Sequence, residues 1–281
     1  MDIMSLRKHQ FEIEHNAIVY SYPCGVVDII HTTGVFREAG WEEVEKTDQC
    51  KRGAARRAGK KSEGQDMRKS MSRARAKLRR LALANEFKYF VTLTLDPEKI
   101  DRDDGAAVAK ALGRWADNMV RRKGLKYILV PELHKKGGIH LHGFFNDAVE
   151  IVDSGTIKLP GVKKPRKPRS KAQRAEWLAA GGQVVYNLPQ WALGFSTALE
   201  LWGEYPNAVA YVTKYIGKDQ LRPMGRWYYS GGSLDEPSKL YADLDRAELM
   251  EQFCGKTVEF AIPGAKLLVI HDKTEVEANE D

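Results

Sequence analysis

PELHKKGGIHLHGFF, residues Pro131 to Phe145, reads as two strands joined by a tight turn. The first strand begins upstream at Lys126 (KYILVPE, to Glu132) and the second runs from Ile139 to Phe145. Between them, Lys135-Lys136-Gly137 suits a three-residue hairpin loop with glycine in the left-handed final position. In that register His134 opposes Gly138, Glu132 opposes His140 and Val130 opposes His142. Glu132, His140 and His142 then project from one face. An even-length loop would carry Glu132 to the other face, so the arrangement depends on the turn.

The flanking sequence supplies partners for this hairpin. FKYFVTLTL, Phe87 to Leu95, is β-branched and aromatic and predicts a strand with Tyr89, Val91, Leu93 and Leu95 on an oily face and Phe90, Thr92 and Thr94 on a partly polar one. Asp96-Pro97 ends it. A helix follows over Gly105 to Lys123, with Val108, Leu112, Trp115 and Met119 near one face and the basic end Arg121-Arg122-Lys123 complementing the helix dipole. Further on, a helix over Ala172 to Ala180 and strands over Gln183 to Asn187 and Gly194 to Leu201 are predicted. Pro206 opens a last helix, AVAYVTKYI, which Gly217 stops.

The 281 residues are enough for a full core, and 43% hydrophobic with 30% charged content is that of a globular chain. No apolar run reaches about 18 residues, which excludes a membrane-spanning helix. The first residues, MDIMSLRKHQFEIEH, lack the basic-then-apolar order of a secretory signal, so a cytoplasmic (bacterial) location is expected. Cys24, Cys50 and Cys254 stand in no CxxC or CxxH spacing and are read as plain thiols.

A net charge of +7 points to an anionic partner. The charge is clustered in KRGAARR (Lys51 to Arg57), RKSMSRARAKLRR (Arg68 to Arg80) and KKPRKPRSK (Lys163 to Lys171). The second run predicts a cationic helix, and the prolines of the third predict a flexible basic loop. Arg73, Arg75, Arg79, Arg80, Lys163, Lys164, Arg166 and Lys167 are therefore the candidate phosphate contacts. Residues 1–66 are expected as an N-terminal accessory region, 67–222 as the central domain with a basic variable insertion around 150–190, and 223–281 as a C-terminal extension ending in the acidic EVEANED.

Two imidazoles two residues apart on a strand, beside a carboxylate, make a mixed nitrogen and oxygen site suited to Mg²⁺ or Mn²⁺, with zinc as another occupant. The bland alternative is a pair of half-buried strand histidines bonded to backbone or water. His134 shares the face and is read as a turn residue, with a ligand role as its alternative. Tyr211 and Tyr215 lie one helical turn apart and share a face with Lys218. A phenol with a pKa of about 10 needs a nearby cation to act as a nucleophile, and Lys218 or Lys214 can supply one. Taken alone, two tyrosines at this spacing are more often core or interface aromatics.

The ordered set FVTLTL (Phe90 to Leu95), PELHKKGGIHLHGFF (Pro131 to Phe145) and AYVTKYIGKD (Ala210 to Asp219) resembles the three motifs of the HUH endonucleases, named for His, a hydrophobic residue, His. The motif order is that of rolling-circle replication initiators, and YxxxYxxK resembles the two-tyrosine subgroup of phage and plasmid initiators. The resemblance implies an α+β fold, a central antiparallel β-sheet with flanking helices related to the ferredoxin-like fold, with the tyrosine helix packed across the hairpin. It implies Glu132, His140 and His142 as metal ligands and Tyr211 and Tyr215 as nucleophiles that nick single-stranded or hairpin origin DNA through a 5′-phosphotyrosine. A host helicase and polymerase are implied partners.

The alternatives are an HUH transposase or relaxase, which the motif order disfavours, and a non-catalytic origin-binding regulator. Gly255-Lys256-Thr257 ends like a phosphate-binding loop, but Met250 stands where glycine is required, so no ATP use is expected.

Overall fold

The computed structural model describes residues 6–45, 63–134, 137–201, 205–216, 221–254, 257–262 and 265–273. Cys50, the Lys51 to Arg57 run, Lys218 and the acidic tail fall outside them. In chain order the elements are β1 (Leu6–Ser21), β2 (Val26–Glu45), α1 (Glu63–Leu83), β3 (Tyr89–Leu95), α2 (Gly105–Lys123), β4 (Tyr127–Leu133), β5 (Ile139–Phe145) and β6 (Val152–Lys158). Then come α3 (Lys171–Ala179), β7 (Gln183–Asn187), β8 (Gly194–Glu200), α4 (Tyr205–Thr213), β9 (Tyr229–Gly231), β10 (Ser238–Ala242), α5 (Arg246–Gln252), β11 (Thr257–Ile262) and β12 (Ala265–Lys273). The fold is α+β, in two units: Met67–Glu236, and Met1–Asp66 with Pro237–Asp281.

The Met67–Glu236 unit is built on a seven-stranded sheet of order β6-β7-β8-β3-β5-β4-β9 with antiparallel pairings throughout. One face of β3 (Tyr89, Val91, Leu93, Leu95) joins Leu141 and Phe145 of β5 and Val108, Leu112, Ala116 and Met119 of α2 in the core. Burying such side chains stabilises by about 1.5–3 kcal/mol each, which is why the alternating pattern of β3 fixes its orientation. Asp104 caps α2 by accepting from the N–H groups of Ala106 and Ala107, and Gly124 at φ 71° closes its other end. The opposite sheet face, with Phe90, Thr92 and Thr94, is left for other work.

Two local features pin the middle of the sheet. Gly137 (φ 82°) and Gly138 (φ 84°) take backbone conformations that other residues resist, and Gly138 accepts from the His134 N–H at 2.9 Å. Within β5, a Cβ on Gly143 would lie 1.8 Å from the Ile128 carbonyl oxygen of β4, so the two strands approach as closely as they do only around glycine.

The region around residues 150–190 is more ordered than a loose insertion. After β6 the basic run turns back, and Ile157 and Arg166 exchange both backbone hydrogen bonds at 2.8 and 2.9 Å. Lys163, Lys164, Arg166 and Lys167 are exposed on this pinned turn. Ser170 then caps α3 through the Gln173 N–H.

The remaining unit differs from the expectation of two separate extensions. Its five-stranded sheet, β10-β1-β2-β12-β11, interleaves strands from both termini, with Ala17 opposite Ala242 and Ile30 opposite Val269. Leu249 of α5 packs on Ile29, Leu268 and Ile270. The buried Asp28 carboxylate accepts from the Tyr22 hydroxyl at 2.8 Å and meets His271 Nδ1 at 2.6 Å, so its charge is partnered inside the sheet. No helix among the described residues is long and apolar enough to cross a membrane.

Because the Gly143 Cβ would collide with backbone, Gly143→Ala is expected to destabilise the Met67–Glu236 unit by about 2–4 kcal/mol, read as a lower urea midpoint. Gly113→Ala on α2, where an added Cβ meets nothing within 4 Å, should be neutral or slightly stabilising in the same measurement.

Candidate active site

The hairpin adopts the odd register: Glu132 opposes His140 and Val130 opposes His142. Thr94 and Thr92 of β3 lie opposite the same two histidines on the other side, so one sheet face carries the cross-strand rows Glu132–His140–Thr94 and Val130–His142–Thr92. Residues directly opposite share a face, which places the carboxylate and both imidazoles together. The turn that sets this register is itself held. Asp103 Oδ1 accepts from the Gly138 N–H at 2.7 Å, and the Arg102 carbonyl accepts from Ile139 at 3.0 Å.

The threonines orient the imidazoles. Thr92 Oγ1 lies 3.1 Å from His142 Nδ1, and Thr94 Oγ1 lies 3.3 Å from His140 Nδ1. Fixing Nδ1 turns the Nε2 atom of each ring outward from β3, and His142 Nε2 meets Glu132 Oε2 at 2.9 Å. Burial holds His140 below the ordinary imidazole pKa, with His134 adding to the effect, Glu132 opposing it and Arg102 adding a little more. A neutral imidazole is the form that ligates a metal.

Among the described residues no three His, Cys, Asp or Glu side chains stand converged as a ready cation site. His142 Nε2 closes on Glu132 instead, and the His140 ring stacks on His134 with centroids 4.9 Å apart. The donors are of the mixed nitrogen and oxygen kind that fits a divalent ion, with Nδ1 of each imidazole already held from behind in the manner of ligand-orienting partners. Admitting an ion means replacing the Glu132–His142 hydrogen bond by two coordination bonds.

The tyrosine helix lies across the same face. Tyr215 stacks on His142 with centroids 4.3 Å apart and planes within 12°, Tyr211 meets Phe90 edge-on at 5.8 Å, and Tyr205 packs on Phe144. The Tyr215 hydroxyl donates to the Tyr211 hydroxyl at 2.6 Å. Burial, then the hydrogen bond to Tyr211, then the nearby Tyr211 and Glu132 charges push the Tyr215 phenol well above its ordinary pKa. Tyr211, by contrast, is 51% exposed. The α-helix ends at Thr213, earlier than the sequence suggests, and i→i+3 bonds carry the chain through Tyr215 and Ile216.

Helix α1 fastens both ends of this segment. The Tyr205 hydroxyl donates to the carbonyls of Ala82 and Asn85 at 2.7 and 3.0 Å, satisfying groups at the end of α1. At the other end, Arg75 donates through Nε and an Nη to the Ile216 carbonyl at 3.0 and 2.7 Å. Arg75, Arg79 and Lys214 line a groove of about 310 Å³ with Ala210 and Thr213. Lys214 thus joins the α1 cations, while Arg73 is exposed and bonds the Lys69 carbonyl and Arg80 lies in the last turn of α1. The anchoring role of Arg75 and the ring contact of Phe90 carry no sequence signal, whereas the alternation in FVTLTL does mark Thr92 and Thr94.

Removing the Arg75 anchor should loosen the tyrosine segment. Arg75→Ala is expected to cost about 1.5–3 kcal/mol, the range for hydrogen bonds made by a charged group, and to speed amide exchange over residues 210–216. Arg75→Lys, with its single donor point, should fall between the two in hydrogen-exchange mass spectrometry.

Residues 88–220 match a family of replication-associated proteins, the one described by its ORF2 members. No curated protein and no solved structure matches the chain. The matched segment runs from the start of β3 past the tyrosine helix, so it holds every residue of the Glu132, His140, His142, Tyr211 and Tyr215 cluster and excludes α1 and the strands of both termini. Over that segment the chain is similar to a replication-associated protein, which supports a role in initiating replication.

Proposed function

We propose that the protein is a rolling-circle replication initiator of the two-tyrosine HUH type, which nicks single-stranded origin DNA and later rejoins it. One observation carries the reading: a phenol pair rests directly on the histidine–carboxylate pair, with the Tyr215 ring on His142 and the two tyrosine hydroxyls in hydrogen-bond contact. Tyrosines used only for packing have no need to bring both hydroxyls together above two oriented imidazoles and a carboxylate. Glu132, His140 and His142 would hold a divalent ion, Mg²⁺ or Mn²⁺, which when bound supplies Lewis-acid polarisation of the scissile phosphate.

The protein's own groups account for the rest. The Tyr211 oxygen attacks phosphorus and gives up its proton. The P–O3′ bond breaks, and the departing oxygen takes up a proton to become a 3′-hydroxyl. The 5′ end stays on the tyrosine, so the bond energy is retained and no ATP is consumed. Tyr211 takes the first strand because it is the exposed member of the pair and accepts the Tyr215 hydrogen bond, which supports charge growing on its oxygen. Tyr215 serves the second cut. The 3′-hydroxyl primes a host polymerase while a host helicase opens the duplex. Lys218 is the cation assigned to the phenolate, and Lys214, in the groove with Arg75 and Arg79, is assigned to the DNA backbone.

Incubated with single-stranded origin DNA and Mn²⁺, the protein should form an adduct that survives denaturant, and EDTA should abolish it. Tyr211→Phe should reduce first-strand cleavage by about 100-fold or more while Tyr215→Phe keeps it, on the scale of losing a covalent nucleophile. An adduct that persists in the double variant contradicts the assignment. Specific binding with no cleavage under any metal would favour a non-catalytic origin-binding regulator.

A further inference from the structure

Phe195 of β8 is 70% exposed, more than any other large hydrophobic side chain among the described residues. Its neighbours on the strand, Ser196 and Ala198, are buried on the core face opposite Leu93 and Val91, so Phe195 and Thr197 point to the side that carries the site. Phe195 lies directly opposite Thr94, and Thr94 opposite His140, which in turn opposes Glu132. The aromatic ring therefore ends the same cross-strand row as the candidate ligands. Two strand spacings separate it from His140, roughly 10 Å. The tyrosine segment covers the neighbouring part of the face, over Phe90, His142 and Phe144, through its own ring contacts.

An exposed phenylalanine forgoes about 1.5–3 kcal/mol of burial, and no ring contact of Phe195 occurs within the described residues. Of the strongly exposed large hydrophobics, the aromatic ones are Phe195 and Tyr211, and both belong to this face. A flat apolar ring at the open end of a row that otherwise offers hydroxyls, imidazoles and a carboxylate fits the face of an unpaired nucleobase. Successive nucleotides lie about 3.4 Å apart along a stacked strand, so 10 Å is at most about three nucleotides from the phosphate being cut.

We infer that Phe195 is a stacking platform for an unpaired base of the DNA strand, within about three nucleotides of the scissile phosphate. The inference rests on the reading of the site as one for single-stranded DNA, and it adds the group that grips the strand beside the chemistry. Stacking is sequence-tolerant, because every base has a π-face, so Phe195 contributes grip and registration without choosing the origin sequence.

The test is binding of fluorescent dT20 in EDTA, by anisotropy, with the Tyr211→Phe, Tyr215→Phe double variant as background so that no covalent capture contributes. Phe195→Ala should weaken binding about 5- to 150-fold, the range for losing one base–aromatic stack, and Phe195→Trp should restore it. On an abasic oligonucleotide of the same length the Ala and Phe forms should bind alike, and thermal midpoints should be unchanged since the ring is exposed. With 5-iodouracil in place of thymine, near-ultraviolet light should cross-link the Phe195 peptide. Equal affinity of the Phe and Ala forms for dT20, an equal loss on the abasic strand, or no measurable binding of dT20 overturns the inference. Because binding is measured without metal or tyrosines, failure of nicking alone leaves this result standing, and failure of stacking leaves the nicking result standing.

Discussion

Every candidate catalytic contact in the molecule depends on one backbone event, the turn at Gly137-Gly138. Two consecutive residues at positive φ, tied down by Asp103 and Arg102, make the loop between His134 and Gly138 three residues long. That odd length sets Glu132 against His140. With one residue more or fewer, the carboxylate would face the apolar layer under the sheet, where Leu129 and Leu141 are fully buried, at the cost of an unpaired charge in the core. The core itself therefore enforces the register that assembles the site. Gly143 adds a second constraint by letting β4 and β5 approach closely just past the two histidines.

The second dependence is on α1. The tyrosine segment is short, ends in i→i+3 turns and is too brief to hold itself in place. It is held by rings beneath it and by α1 at both ends, through Tyr205 at its start and Arg75 at its finish. Cationic residues of one helix thus serve two ends. Arg75 anchors the backbone beside Tyr215, and with Arg79 and Lys214 it forms a positively charged wall suited to phosphates. The similarity to replication-associated proteins stops short of α1, so this support lies outside the matched segment.

The hairpin, β3, α2 and the face assignments of Thr92 and Thr94 were legible because each is a local pattern: alternation, a cap, a glycine turn. The five-stranded unit was not legible, since its strands pair across nearly the whole chain, as in Ala17 with Ala242, and nothing local reports a partner so distant. The expected loop at Lys163 to Lys171 was rightly kept out of helix, but its bridge to Ile157 comes from β6, whose mixed VDSGTIK pattern carries little strand signal. Of the candidate site, the residue types and their shared face were readable. Their closed state, with His142 on Glu132 and Tyr215 stacked on His142, was not, because it depends on how α4 docks. Phe195 escaped notice for a simpler reason: one exposed aromatic in a strand has no sequence signature until its row is known.

The central claim is that one face of the β4–β5 hairpin binds a divalent cation beneath the tyrosine pair. Paramagnetic broadening by Mn²⁺ tests it most directly, with the protein labelled so that histidine and tyrosine ring signals are resolved. The account predicts that a single equivalent broadens His140 and His142 first and Tyr215 and Tyr211 next, while His15 and His271 of the other unit stay sharp, and that Glu132→Ala raises the Mn²⁺ concentration required. Broadening that spares His140 and His142, or is unchanged by Glu132→Ala, would contradict it.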